Sequence, residues 1–174
     1  MKEKNLFVWG ILIISLSFGL QAQRATPPLE IPLLLSGNFG EFRGSHFHAG
    51  LDIKTKGRQG FKVKSILAGS IRRIKVSTSG YGKTLYVEHA DGTTSVYAHL
   101  QKFAPKIEKI VKQLQYQKER FLIQSYHKSN ELVVRQGEVI GYSGNTGGSL
   151  GPHLHFELRD SKTQMPLNPL TLNF

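Results

Sequence analysis

Two widely separated stretches of the chain carry side chains that bind divalent metals. His153-Leu154-His155 lies within residues 152–158, where His153, His155 and Glu157 alternate with Leu154, Phe156 and Leu158. The alternation predicts a strand, on which residues i and i+2 share one face about 6.5–7 Å apart. Both imidazoles then project from one surface, so one can ligate a metal while its neighbour faces the metal's open position. An isolated pair of this kind is more often two histidines hydrogen-bonded on a sheet. A second cluster alters that balance.

In His48-Ala49-Gly50-Leu51-Asp52 an imidazole and a carboxylate stand four residues apart. On a helical turn they would meet, but Gly50 and the β-type continuation oppose a helix. On a straight strand they would be about 13 Å apart, too far to share an ion whose bonds are about 2.0–2.2 Å. A bend at Ala49-Gly50 that folds His48 back over Asp52 is therefore expected. Two nitrogens and one carboxylate oxygen make the three-ligand set of a catalytic zinc site, with the fourth position left to water. No His-Glu-x-x-His helix supplies a glutamate base. His99, at the end of Ser95-Val96-Tyr97-Ala98-His99-Leu100, and His153 remain as candidates for proton acceptor and oxyanion donor.

The elements that must position these groups are short strands. Glycine-punctuated β-rich runs occupy residues 61–67, 70–76, 83–89 and 93–100, and Asp91-Gly92 between the last two is a hairpin signal. A second hairpin is expected from residues 132–134 through Gln136-Gly137 to residues 139–142. One segment breaks the pattern. Pro105 suits a first helical turn, and Ile107, Ile110, Val111 and Leu114 form one apolar stripe, predicting a helix over about 105–120. Lys106, Lys109, Lys112 and Lys118 lie on its other face, the pattern of a packed helix with a solvated basic side; a wall or lid beside the site is the alternative. The expected fold is mainly β, an antiparallel sheet of barrel-sandwich type with that single helical insertion.

Composition narrows the classes. The 174 residues include 39% hydrophobic and 20% charged side chains, enough apolar content for one packed domain. There is no cysteine, which excludes disulfides, thiolate zinc knuckles and a cysteine nucleophile, so any metal is held by nitrogen and oxygen. The formal charge of +11 suits an acidic partner. The basic residues are scattered rather than interleaved with aromatics, and no nucleic-acid-binding motif is present.

Lys2 and Lys4 precede an apolar run over residues 6–20, with Ala22 before a polar stretch. That order reads as a signal peptide over residues 1–22, followed by an extended, proline-containing lead-in over 23–35 and a domain over 36–174 with an insert at 103–131. Leu20 departs from the small-x-small cleavage pattern, so an uncleaved N-terminal membrane anchor is the alternative. Either way the domain is expected outside the cytoplasm, in the periplasm, the cell envelope or the medium, which argues against nucleic acid as partner.

His48-x-x-x-Asp52, Tyr97-Ala98-His99-Leu100, and Gly144-Asn145-Thr146-Gly147 leading to Gly151-Pro152-His153-Leu154-His155-Phe156-Glu157 together resemble the M23 family of zinc metallopeptidases, the lysostaphin/LytM-type endopeptidases of bacterial cell walls. The resemblance runs from about residue 36 to 170. It implies one zinc ion held by His48, Asp52 and His155, His99 and His153 as catalytic residues, and hydrolysis of peptide bonds in the stems or cross-bridges of peptidoglycan. Ser36-Gly37, Gly40 and Arg43 resemble the family stretch ahead of the first ligand, with loop shape and groove lining as the implied role. Phe42 stands where some lysostaphin-like members carry a tyrosine thought to assist the oxyanion. Gly144, Gly147, Gly148 and Gly151 would either let a substrate backbone approach or simply shape the loop. The competing readings are a non-catalytic relative that binds peptidoglycan or activates an amidase, and a β-rich module for anionic glycans.

Overall fold

The computed structural model describes residues 24–174. The expected signal segment, residues 1–22, lies outside the described residues. In chain order the elements are β1 (Leu35–Gly37), β2 (Phe42–Arg43), β3 (His46–Phe47), β4 (Leu51–Lys54), β5 (Lys62–Lys64), β6 (Gly69–Val76), β7 (Thr84–His89), β8 (Thr93–Ala98) and β9 (Lys102–Phe103). There follow α1 (Pro105–Lys118), β10 (Ile123–Tyr126), β11 (Val133–Val134), β12 (Val139–Tyr142), β13 (His153–Asp160) and β14 (Pro166–Leu167).

The main sheet has nine strands and runs β1-β4-β13-β8-β7-β6-β10, with β11 also on β6 and β14 also on β13. Its pairings are antiparallel. Alternation along β13 buries Leu154, Phe156 and Leu158 on one face and leaves His153, His155 and Glu157 for the other. The same logic is interrupted on β6: a bulge between Ile71 and Arg73 shifts the register, so Ile71 and Ile74, three apart, both reach the core. A three-stranded sheet, β5-β12-β9, contributes Val63, Ile140 and Phe103 to that core. The extended lead-in belongs to it too, since Ala25 and Leu29 are buried and Leu29 bridges Val63.

The Asp91-Gly92 hairpin forms as expected, pairing Leu85 with Tyr97 and Val87 with Ser95. The second expected hairpin does not. Beyond the Gln136-Gly137 turn the chain changes sheets: β11 pairs with β6, whereas β12 pairs with β5 and β9. Short-range turn chemistry was present, but two unpaired edges competed for these strands and tertiary packing decided.

α1 ends at Lys118, because Glu119 takes a left-handed conformation (φ 48°) and its N–H caps the carbonyls of Gln115 and Tyr116. At the other end the Glu108 carboxylate accepts the Phe103 N–H at 2.9 Å. Ile107 and Val111 are buried, and Ile110 and Leu114 pack partly against them, so the stripe faces the core and the lysines face outward.

Candidate metal centre

Register alone gathers most of the site. β13 lies between β4 and β8, and His155 is the Cα partner of Asp52 on one side and of Ala98, the residue before His99, on the other. His48 arrives through the expected bend. Gly50 makes it possible: a Cβ there would fall 2.2 Å from Phe156 O and 2.7 Å from Glu157 Cγ, so only glycine lets the bend press against β13.

Three ligand atoms converge. His48 Nε2 lies 3.0 Å from His155 Nδ1 and 3.2 Å from Asp52 Oδ1, and His155 Nδ1 lies 2.9 Å from Asp52 Oδ1. All three residues are buried. Three atoms bonded to one tetrahedral zinc at about 2.05 Å stand roughly 3.3 Å apart, so the triangle is nearly of the size zinc needs.

The outer hydrogen bonds fix which nitrogens face inward. His48 Nδ1 donates to Asn38 O at 2.8 Å, and His155 Nε2 donates to the Glu157 carboxylate at 2.8 Å. With neutral rings, His48 Nε2 and His155 Nδ1 are then bare lone pairs, facing each other and a carboxylate oxygen. Three buried acceptors with no hydrogen among them repel, and a cation is the partner that satisfies them. The donor set therefore fits a zinc ion.

Each inner group is held from behind. Arg43 donates to Asp52 Oδ2 at 2.7 Å, leaving Oδ1 for the centre. Burial would raise the Asp52 pKa, but the imidazoles of His153 and His155 beside it and the Arg43 guanidinium outweigh burial and hold the carboxyl far below the usual range. Glu157 is completely buried; it accepts from His155, from the Tyr81 hydroxyl and from Arg159, whose Nε is 2.6 Å away. Burial opposes its charge, yet those donors and the Arg159 cation leave its pKa lowered. The Tyr81 ring lies 5.0 Å from the His155 ring.

His99 and His153 flank the open side, their ring centroids 4.7 Å apart. His99 donates Nδ1–H to Thr146 O and His153 donates Nδ1–H to Gly151 O, both at 2.8 Å. Both Nε2 atoms are thereby left for the centre, and His153 Nε2 is 3.4 Å from Asp52 Oδ1. His99 is held in a left-handed conformation (φ 57°), a strain of about 1–3 kcal/mol that its neighbours must impose. Its N–H bonds to Tyr81 O, and its carbonyl accepts from Thr146 N. Burial brings its pKa down to about 4, so the ring is neutral at neutral pH.

The structure thus brings together His48, Asp52, His99, His153 and His155, all of which line one open groove. It also reassigns several neighbours. Arg43 lines the groove and in addition clamps Asp52. Phe42 is exposed, stacks edge-on with Phe47 at 5.7 Å and does not line the groove; the site tyrosine is Tyr81, from the turn between β6 and β7. A Cβ on Gly144 would meet Gln101 N, and one on Gly147 would meet Gly80 O, so these two glycines pack loop on loop, while Gly148 and Gly151 line the groove. No residue of α1 lines it.

A family model described as peptidase family M23 matches residues 46–116 and 120–169. The DD-carboxypeptidase/endopeptidase Mpg of Neisseria meningitidis is 34% identical over 125 residues, covering 72% of this chain and 22% of the relative. The chain thus spans about a fifth of the length of the curated relatives it matches. Among solved structures, the catalytic domain of lysostaphin from Staphylococcus simulans superposes with a TM-score of 0.58 at 24% identity, covering 80% of this chain and 90% of that one. A mutant catalytic domain of the prophage-encoded M23 protein EnpA from Enterococcus faecalis gives 0.59 at 22% identity, over 82% and 93%. At these identities the structural likeness speaks for the fold.

Proposed function

The chain belongs to peptidase family M23, and from that footing we propose that it is a zinc-dependent endopeptidase that hydrolyses peptide bonds in the stems or cross-bridges of peptidoglycan. The observation that carries the reading is the convergence of three buried ligand atoms, His48 Nε2, Asp52 Oδ1 and His155 Nδ1, opening onto two further imidazoles. The name of Mpg, a DD-carboxypeptidase/endopeptidase, supports a peptidase acting in the cell envelope.

In this reading His48, Asp52 and His155 hold one zinc ion, which when bound polarises a carbonyl and acidifies a water. The remaining work falls to the chain. His99, neutral and anchored through Nδ1, presents Nε2 to take the proton of the attacking water. His153 is the donor to the developing oxyanion: its Nε2 lies 3.4 Å from the Asp52 Oδ1 counter-charge, whereas His99 has no carboxylate within ion-pair range among the described residues. Arg43 and Glu157 position Asp52 and His155. Digestion of purified peptidoglycan with and without a chelator, with products identified by mass spectrometry, tests the assignment; zinc-dependent release of new amino termini is expected, and an unaltered product profile contradicts it.

A further inference from the structure

Lys54 is the last residue of β4, two positions beyond Asp52 and therefore on the same face of the sheet, about 6.5–7 Å along it. Its Cα partner across the sheet is His153. It lines the same groove as the metal centre, it is exposed, and among the described residues it has no acidic partner. The other charges there are spoken for. Asp52 is the groove's one acidic side chain among the described residues and faces the metal site, while Arg43 is committed to Asp52 and Glu41. The groove therefore offers one uncommitted ammonium and no carboxylate to answer it.

We propose that Lys54 is a specificity-determining residue that binds a free carboxylate of the substrate, within about two residues of the scissile bond. This rests on the peptidase reading and narrows it: the preferred substrates are stem peptides carrying free carboxylates, and uncharged glycine bridges are poor ones. Two links of extended peptide span about 7 Å, which matches the separation of Lys54 from Asp52 along β4. A lysine left unpaired beside the metal centre gains a charge-assisted hydrogen bond only when such a ligand arrives.

The test compares cross-linked stem peptides with their carboxylates free, the same peptides amidated, and a neutral oligoglycine, on zinc-loaded wild type, Lys54→Gln and Lys54→Arg. Both turnover and equilibrium binding are measured. Wild type should prefer the free-carboxylate peptide over its amide by about tenfold in binding and in kcat/KM, Lys54→Gln should erase the preference without changing zinc content, and Lys54→Arg should restore most of it. Equal affinity of wild type for acid and amide, or a preference that survives in Lys54→Gln, overturns the proposal. If the acid form is bound selectively through Lys54 but no variant cuts any peptide, the hydrolytic reading fails and the carboxylate site stands.

Discussion

His48 Nε2 and His155 Nδ1 approach to 3.0 Å although 107 residues separate them, and neither nitrogen carries a hydrogen when both rings are neutral. Such a contact is repulsive until something positive enters beside it. The metal-free domain should therefore be the less stable form, with the excess repulsion relieved by zinc. Thermal unfolding with added zinc and with chelator measures this; a Tm raised by zinc is expected, and an identical Tm in both contradicts it.

Arg43 holds the outer oxygen of Asp52 while the inner one faces the centre. Replacing it with Ala frees the carboxylate to rotate and removes a neutralising cation. Zinc affinity should fall by about 10–100-fold with the fold retained, as read by competition with a metal indicator. Affinity equal to wild type would mean that Arg43 only decorates the groove.

Glu157 fixes the tautomer of His155 and is itself held by Tyr81 and Arg159. Glu157→Gln keeps an acceptor for His155 but leaves the partly buried Arg159 without its anion. It should lower both zinc affinity, by about tenfold, and stability, by about 1–3 kcal/mol. Tyr81→Phe, removing one donor of several, should have the same direction and a smaller size in the same zinc-competition and urea-unfolding assays.

Gly50 lets the His48 bend lie against Phe156 O. Gly50→Ala forces that contact apart, which should destabilise the domain by at least about 2 kcal/mol and weaken zinc retention together. Wild-type urea midpoints in the variant would show that the backbone yields there without penalty.

Outside the groove, His89 donates Nδ1–H to Ala68 O and accepts at Nε2 from Ser95, which in turn contacts the buried Tyr97 hydroxyl. Burial holds the His89 pKa below its ordinary 6.5. The unfolded chain takes up this proton near 6.5 while the folded one resists, so stability is level above that pH and falls below it. The decline of Tm in acid should be shallower in His89→Gln than in wild type, both zinc-loaded; equal slopes would remove His89 from the account.

The sequence carried the candidate ligands because the chemistry of His and Asp at two fixed spacings is local, the choice of His155 over His153 rested on the family resemblance, and the Ala49-Gly50 bend followed from the reach of a strand. The helix was legible from its stripe, and its end moved by two residues because Glu119 caps it in a left-handed conformation. What could not be read was partnership between distant segments. Tyr81 looks like an ordinary loop residue until β13 brings Glu157 beside it, Arg43 was expected to line the groove and not to hold Asp52, and Lys54 gains meaning only beside His153. The 132–142 hairpin failed for the same reason: its turn was plausible, but β6 and β5 offered better edges.

Holding the metal and using it fall to different histidines, and one pair of variants separates the two tasks. Zinc content and cleavage of purified muropeptide cross-links are measured in His155→Ala and His99→Ala. His155→Ala should lose both zinc and turnover, whereas His99→Ala should keep one zinc per chain and lose turnover. Cross-links still cut by both variants, or zinc retained at full occupancy in His155→Ala, would contradict the account.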